Sequence, residues 1–416
     1  MAADSVKVHI KTITGVSAGD AFPHLSRYFG HAMHVLILGA RAPACLEWAR
    51  AFHAAGWYVS AGDSLRWPLT RASRAVDNYF YLPEPRHDPT GWIAALREIV
   101  ESRRIDVILP ICEEVFYLGA GLDSLPCRVM TMPLPLLHEL HHKYRFACMT
   151  AGWPAPAPET HLLESAESLA GFADASAEWV FKPVYSRFAN RTLIRPAPRA
   201  LAQVRPTSVE PWVAQRFVAG REHCSYSLLV AGRLTAHACY HSRYRLGRGA
   251  GIYFEPTNPP AIRAFVERFG ETTGYTGQVA FDFVETPDGR CQVIECNPRA
   301  TSGVHLFDDQ PAALIAALLG EPSAEVLLPT PKLRMGGLAM LLFAAPRHLV
   351  NRDFWRDFSA AHDIVVRSGD WPPLLSQLPA LFEIIGRALG RRRGLLAAAT
   401  ADIEWDGQPI PGSKCG

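Results

Sequence analysis

Apolar positions along the chain fall into segments of different period. Residues 34–39, HVLILG, form an unbroken apolar run ending in Gly, with no alternation to mark a solvent face. Such a run suits a strand buried on both sides, as in a parallel sheet. A helical pattern follows from Ala42 to Ala55, then a second strand at WYVSAGDS (57–64) and a helix from Gly91 to Ser102. IDVILPICEEV (105–115) reads as a strand entering a helix, and CRVMTMP (127–133) as a further short strand. Strands alternating with helices of about 10–15 residues predict a parallel α/β layer.

The pattern changes at GWPAPAPETHLL (152–163), where prolines force extended backbone and mark a boundary. EWVFKPV (178–184) and PWVAQRFV (211–218) then read as strands of a small unit. HCSYSLLVAGRLTAHACYHSRYR (223–245) reads as a hairpin turning at Ala231-Gly232, and GQVAFDFVETPDGRCQVIECN (277–297) as a second, turning at TPDGR. From about Pro331 short helices are punctuated by Pro and Gly. DWPPLLSQLPALFEIIGRALGRRRG (370–394) is amphipathic, and its basic end is expected to be a solvated helix terminus rather than a nucleic-acid patch. The fold class is α/β and α+β. The expected units are an N-terminal extension (1–33), an α/β domain (34–135), a small unit with its linker (136–210), a larger unit (211–330) and a C-terminal region (331–416).

A chain of 416 residues is too long for one ordinary core. With 49% hydrophobic residues, 20% charged residues and a net charge of +2, it reads as soluble and globular, without the field that nucleic acid or an anionic membrane would call for. Its nine Cys lack CxxC or CxxH pairing, which argues against a zinc site or a disulfide framework and for reduced thiols in the cytoplasm. MAADSVKVHIKTITG at the start has no apolar h-region, and AALIAALLG and LAMLLFAA are shorter than a membrane span. Lys usage is more informative. Only six of 42 basic residues are Lys, and between Lys11 and Lys332 the chain uses Arg everywhere except at Lys143 and Lys182. Base composition accounts for the bias. Two Lys that resist it suit delivery of a compact charge to phosphate oxygens, which the planar Arg fork does not supply.

Chemistry concentrates in the second hairpin, where AFDFV carries Asp282 and VIECNPR carries Glu295, Asn297 and Arg299. Alternation turns Asp282 away from Phe281 and Phe283, and Glu295 away from Ile294, while pairing around the turn brings the two acids together. Asn297 shares the face of Glu295. Two carboxylates and an amide are hard oxygen ligands that suit Mg²⁺, or Mn²⁺, bridging phosphate oxygens. Without a cation the facing carboxylates repel.

The spacing Asp282-x12-Glu295-x-Asn297, followed by Pro298-Arg299, resembles the metal motif of the ATP-grasp superfamily, which includes carbamoyl-phosphate synthetase, biotin carboxylase and the D-alanine–D-alanine and other amino-acid ligases. Other pieces follow in the family's order. Lys143 in LHHKYRF and Lys182 in VFKPV match its two nucleotide-phosphate lysines, and AQRFVAGREH (214–223) resembles its interdomain hinge. The resemblance covers about residues 34–310. It implies a pre-ATP-grasp α/β domain at 34–135, a small ATP-grasp subdomain at 136–210, a large one carrying the metal site at 211–330, and a C-terminal extension. It further implies that ATP meets Gln215, Arg216, Phe217 and Val218 at adenine and Glu222 at ribose. Asp282, Glu295 and Asn297 would then hold Mg²⁺, and Arg299 and Lys182 would serve the transferred phosphate. One departure is PVYSRFANRT after Lys182, which has no Gly where the family often has a Gly-rich loop; Ser186, Arg187 and Asn190 are the candidates to replace backbone contacts. Ala280 stands where some members carry a basic residue.

On the substrate side, LPICEEVF places Cys112, Glu113 and Glu114 at the carboxyl end of a strand, where open parallel sheets bind ligands. Two readings stand open for the acids: capping of the next helix, or recognition of an acceptor amine. Cys112 reads as a small core residue rather than a nucleophile. HSRYRLGRGAG (241–251) offers His241, Arg243, Arg245 and Arg248, whose forks suit a carboxylate or acyl phosphate; a surface charge run is the alternative. The reaction implied is ATP-dependent carboxylate–amine ligation, with small-molecule acid and amine as partners and a homodimer allowed. A phosphotransferase that releases a stable phosphorylated product, and a nucleotide-binding protein without turnover, are the alternatives.

Overall fold

The structure, a computed structural model, describes residues 33–187, 191–246, 249–392 and 394–411; Asn190, Arg248 and most of the N-terminal extension lie outside them. Strands β1 (His34–Leu38), β2 (Tyr58–Asp63), β3 (Asn78–Tyr81), β4 (Val107–Leu109) and β5 (Arg128–Val129) form a parallel sheet in the order β3-β2-β1-β4-β5. The central β1 explains its own lack of alternation. Val35 and Ile37 join a core with Trp48 and Phe52 of helix α1 (Pro43–Ala54), while Leu36 and Leu38 join another with Trp92, Leu96 and Val100 of α2 (Pro89–Arg103). Both faces are covered, so both parities are apolar. Helices α3 (Glu114–Ala120), α4 (Leu134–His141) and α5 (Lys143–Met149) lead out of this sheet.

A four-stranded antiparallel sheet follows, with β6 (Thr160–Leu163), β7 (Trp179–Pro183), β8 (Leu193–Ile194) and β9 (Trp212–Arg216) in the order β6-β9-β7-β8. Strand β6 occupies the end of the Pro-rich segment read as a boundary. The third sheet holds both expected hairpins, β10 (Arg221–Val230) with β11 (Arg233–His241) and β13 (Gly277–Glu285) with β14 (Cys291–Asn297). It is extended by β12 (Tyr253–Thr257) and the two-residue strands β15 (Arg334–Met335) and β16 (His362–Asp363), in the order β14-β13-β10-β11-β12-β15-β16. Helix α6 (Pro260–Thr273) covers this sheet, with the Phe265 and Phe269 rings 5.2 and 5.0 Å from that of Phe281. Gln278 joins the first sheet to the third: its Oε1 accepts from Trp48 Nε1 and Tyr226 Oη, both at 2.7 Å, and its Nε2 donates to the Pro110 carbonyl at 2.9 Å.

Helix α7 (Pro311–Leu319) packs on α1, and the C-terminal region contributes α8 (Arg352–Ala360) and the long α9 (Pro372–Arg391). At the basic end of α9, Arg391 and Arg392 are exposed, as expected of a solvated terminus, and Arg391 also reaches Glu84 at 2.7 Å; a turn earlier Arg387 reaches Glu84 at 3.2 Å and Asp402 at 2.9 Å. Trp371, Leu375, Leu378, Phe382 and Leu389 leave the other face of α9 exposed and apolar. No helix among the described residues is long and apolar enough to cross a membrane, and the described Cys residues are free.

His237 on β11 lies buried, with Nδ1 3.0 Å from Ser227 Oγ and Nε2 lacking a partner. Burial, with Arg263 nearby, lowers its pKa to about 4. The folded state thus refuses a proton that the unfolded chain accepts below about pH 6.5. Stability contributed by the neutral ring is present above that pH and is lost as pH falls towards 4, by about 2 kcal/mol at pH 4.5. The expected outcome is a fall in Tm between pH 7 and 4.5 that is clearly shallower in His237→Gln, measured by thermal unfolding at each pH.

Candidate active site

The site begins with a register shift. Near the turn β13 and β14 pair Phe283 with Val293 and Glu285 with Cys291; beyond it Asp282 pairs with Glu295, Phe281 with Cys296 and Ala280 with Asn297. Ile294 is therefore one extra residue on β14, a β-bulge. Without it Asp282 would oppose Ile294, and Glu295 would turn to the face of Phe281, which is buried in the core. The bulge sets the two carboxylates side by side. It also places the Ile294 carbonyl to accept from Lys182 Nζ at 3.0 Å.

Around this pair the structure gathers residues from several separate parts of the chain. Lys182 on β7 also donates to Gln215 Oε1 on β9 at 3.1 Å, and Gln215 Nε2 donates to Thr160 Oγ1 on β6 at 3.1 Å. Lys143 opens α5, where His142 accepts from the Arg145 amide. Its buried ammonium donates to the carbonyls of Ser186 (3.0 Å) and Val184 (3.3 Å) and stands 3.4 Å from Glu295 Oε1. Asn297 Nδ2 donates to Asp282 Oδ2 at 3.3 Å, and Arg299 donates to Asn297 Oδ1 at 3.1 Å and lies 3.9 Å from Glu113.

The electrostatics follow from burial and neighbours. Burial and the Glu295 charge push Asp282 up to about 6. Burial, helped by the like charge of Lys143, draws Lys182 down to about 8, although Glu295 and Asp282 favour its charge. Cys224 pairs with Asp282 across β10 and β13, and burial with that carboxylate pushes its thiol up. Among the described residues no three His, Cys, Asp or Glu side chains cluster as a metal site would. The donor set, two facing carboxylates and an amide oxygen, fits a hard cation that keeps water or phosphate oxygens as its other ligands. Facing carboxylates, one with a raised pKa, are the charge conflict that such a cation relieves.

Other predicted residues are placed differently. Glu114 folds back on its own loop: its Oε1 accepts from the Ile111 and Cys112 amides, both at 2.9 Å, and burial pushes its pKa up. Glu113 is bound by the Arg187 guanidinium. Burial and Glu114 raise the Cys112 thiol, in keeping with a packed residue. Arg243 pairs with Asp357 at 2.8 Å and Arg245 with Glu222 at 2.6 Å, so each fork already holds a carboxylate of this chain. His241 Nδ1 is 2.8 Å from the Glu222 carbonyl. Arg216 is exposed, pairs with Glu178 at 2.8 Å and lies over Trp179. The Phe217 amide donates to the Glu178 carbonyl, and Phe217 and Val218 are half-buried. At the turn before Glu222, Gly220 is packed so closely that a Cβ would come 2.1 Å from the Glu285 carbonyl oxygen, which brings the hinge segment hard against β13.

Sequence reasoning did not find Thr160, the bulge at Ile294, or the partners of Arg187. Arg187 donates to the Trp405 carbonyl at 2.6 Å and to Asp406 at 2.9 Å, across more than 200 positions where no local period could signal a contact.

No protein-family model matches the sequence, and no curated protein does. Solved structures resemble it. The chain matches N5-carboxyaminoimidazole ribonucleotide synthetase (purK) in complex with ADP at a TM-score of 0.60 and 16% identity, over 76% of this chain and 85% of that one. It matches an L-amino acid ligase from Bacillus licheniformis at 0.55 and 14%, over 69% and 74%. The biotin carboxylase domain dimer of Hydrogenobacter thermophilus 2-oxoglutarate carboxylase, complexed with MgADP, ADP and bicarbonate, matches at 0.55 and 13%, over 71% and 72%. All three are ATP-grasp proteins. At these identities the likeness speaks to architecture, and it agrees with the motif spacing: the chain has the ATP-grasp fold, with a parallel α/β domain at its N-terminal side.

Proposed function

We propose that the chain is an ATP- and Mg²⁺-dependent carboxylate–amine ligase that forms an amide through an acyl phosphate. The observation that carries this reading is the Asp282–Glu295 pair flanked by two buried lysines, Lys143 and Lys182. Asp282, Glu295 and Asn297 would hold the cation, which supplies charge neutralisation for phosphate oxygens. Lys143 and Lys182 would take the phosphates in exchange for the carbonyls they now bind, and β9 from Gln215 to Val218 would line the adenine, with Glu222 at the ribose. Arg299 has no carboxylate closer than Glu113 at 3.9 Å, which leaves its fork the most available for the transferred phosphate or the substrate acid. An acyl phosphate is labile, so the amine must stand ready beside it; the chain's part is orientation and charge compensation rather than a covalent nucleophile. Small-molecule acid and amine are the partners of this reading. Free thiols throughout the described residues support a reducing, cytoplasmic setting.

Two measurements test it. Lys143→Ala and Lys182→Ala should each weaken a non-hydrolysable ATP analogue by about tenfold or more, the scale of a lost charge-assisted hydrogen bond. Lys332→Ala, whose ammonium pairs with Asp309 at the surface, should not. Equal affinities in calorimetric titration of the three would remove the lysines from the site. The product assay separates the alternatives. ATP, acid and amine together should yield ADP, phosphate and amide, and hydroxylamine in place of the amine should yield a hydroxamate. ADP with a stable phosphorylated acceptor would mean a phosphotransferase, and AMP with pyrophosphate would overturn the mechanism.

A further inference from the structure

In doubly wound sheets ligands sit outside the carboxyl ends of the strands, where the strand order reverses. Here that point lies between β1 and β4, bounded by Gly39–Arg41, Asp63–Ser64 and Pro110–Glu114. Beside it, over the ends of β1 and β2, a space of about 10 Å³, no more than a single water needs, is lined by Gly39, Asp63, Ser64, Glu114 and Ile403. The C-terminal segment meets the ends of these strands. Arg41 donates to both oxygens of Asp63 and to both oxygens of the fully buried Asp402, with closest contacts of 2.6 Å to each, and to the Ala399 carbonyl at 2.7 Å.

From Ile403 the same segment runs on to the loop after Lys182. Trp405 is buried, its ring 5.0 Å from Phe116, 5.1 Å from His138 and 5.9 Å from Tyr185. The Tyr117 hydroxyl donates to the Glu404 carbonyl at 2.6 Å. Arg187, itself almost fully buried, donates to Glu113, to the Trp405 carbonyl and to Asp406. Gly407 has φ of +84°, and a Cβ there would come 2.5 Å from the Tyr185 ring. Tyr185 and Arg187 flank Ser186, whose carbonyl, with that of Val184, accepts from Lys143.

We propose that residues 399–408 are a built-in part of the active site. They lie against the carboxyl ends of β1 and β2, and Trp405 and Asp406 are positioning residues that seat the 184–187 loop over Lys143. The seating follows from the contacts alone; only its effect on nucleotide rests on the ligase reading.

Asp406 is the residue to change, because its side chain is 41% exposed and its replacement leaves the buried Trp405 and Asp402 in place. Tryptic cleavage after Arg187, followed by mass spectrometry on the full-length chain without nucleotide, should be about fivefold faster in Asp406→Asn, at a Tm within about 2 °C of the unsubstituted chain. Asp406→Glu should restore protection, and Asp288→Asn, at the exposed β13–β14 turn, should change nothing. Affinity for a non-hydrolysable ATP analogue should fall about fivefold in Asp406→Asn. An unchanged cleavage rate in Asp406→Asn would overturn the proposal whatever the analogue does. An analogue that binds none of the variants, with cleavage as expected, would count against the ligase reading and leave the seating in place.

Discussion

Ile294 makes β14 one residue longer than the stretch of β13 it accompanies, and the charge arrangement of the site follows from that single excess. Side chains on a strand alternate between faces, so one added residue changes which side Glu295 takes. Two carboxylates then meet across the ladder, which is unfavourable unless positive charge stands close. Lys143 supplies one such charge directly, and Lys182 hangs from the carbonyl that the bulge exposes. An ammonium fits there because its three donors can point to a carbonyl, an amide oxygen and whatever lies above; a planar guanidinium could not divide itself so.

The site is internally paired before any ligand arrives. Lys143 holds two carbonyls and Glu295, Arg245 holds Glu222, and Arg187 holds Glu113 and Asp406. A ligand that takes Lys143 must replace its partners there, so its affinity is a difference between two sets of hydrogen bonds and not the sum of new ones. Such an exchange favours ligands whose charge and shape take over several partners at once. A polyphosphate can replace two carbonyls and a carboxylate in one step, whereas a lone carboxylate replaces a like group and gains little.

Much of this was legible in the sequence where the signal is local. The unbroken apolarity of β1 announced a strand covered on both sides, the two hairpins announced themselves by their turns, and Lys143 and Lys182 stood out against an Arg-rich background. Strand β3 was not seen, because an aromatic edge strand of four residues carries no clear period, and β6 was hidden by the prolines before it. The forks of Arg243 and Arg245 looked free because Asp357 is more than 100 positions from the first and Glu222 lies on a different strand from the second. Two readings stood open for Glu114, and its inward turn to the Ile111 and Cys112 amides is decided by a loop conformation that composition does not encode.

The segment from Ala399 to Gln408 has a consequence for the order of assembly. Polypeptides are made from the N-terminus, and domains generally fold as they emerge. Arg41, Asp63 and the 184–187 loop are therefore made long before Asp402, Trp405 and Asp406 exist to hold them. Until residues 402–406 are made, Arg41 is short of one of its two carboxylate partners. A ribosome-bound chain that has emerged only as far as β14 already carries Lys143, Lys182 and the Asp282–Glu295 pair, but not the residues that hold Arg187.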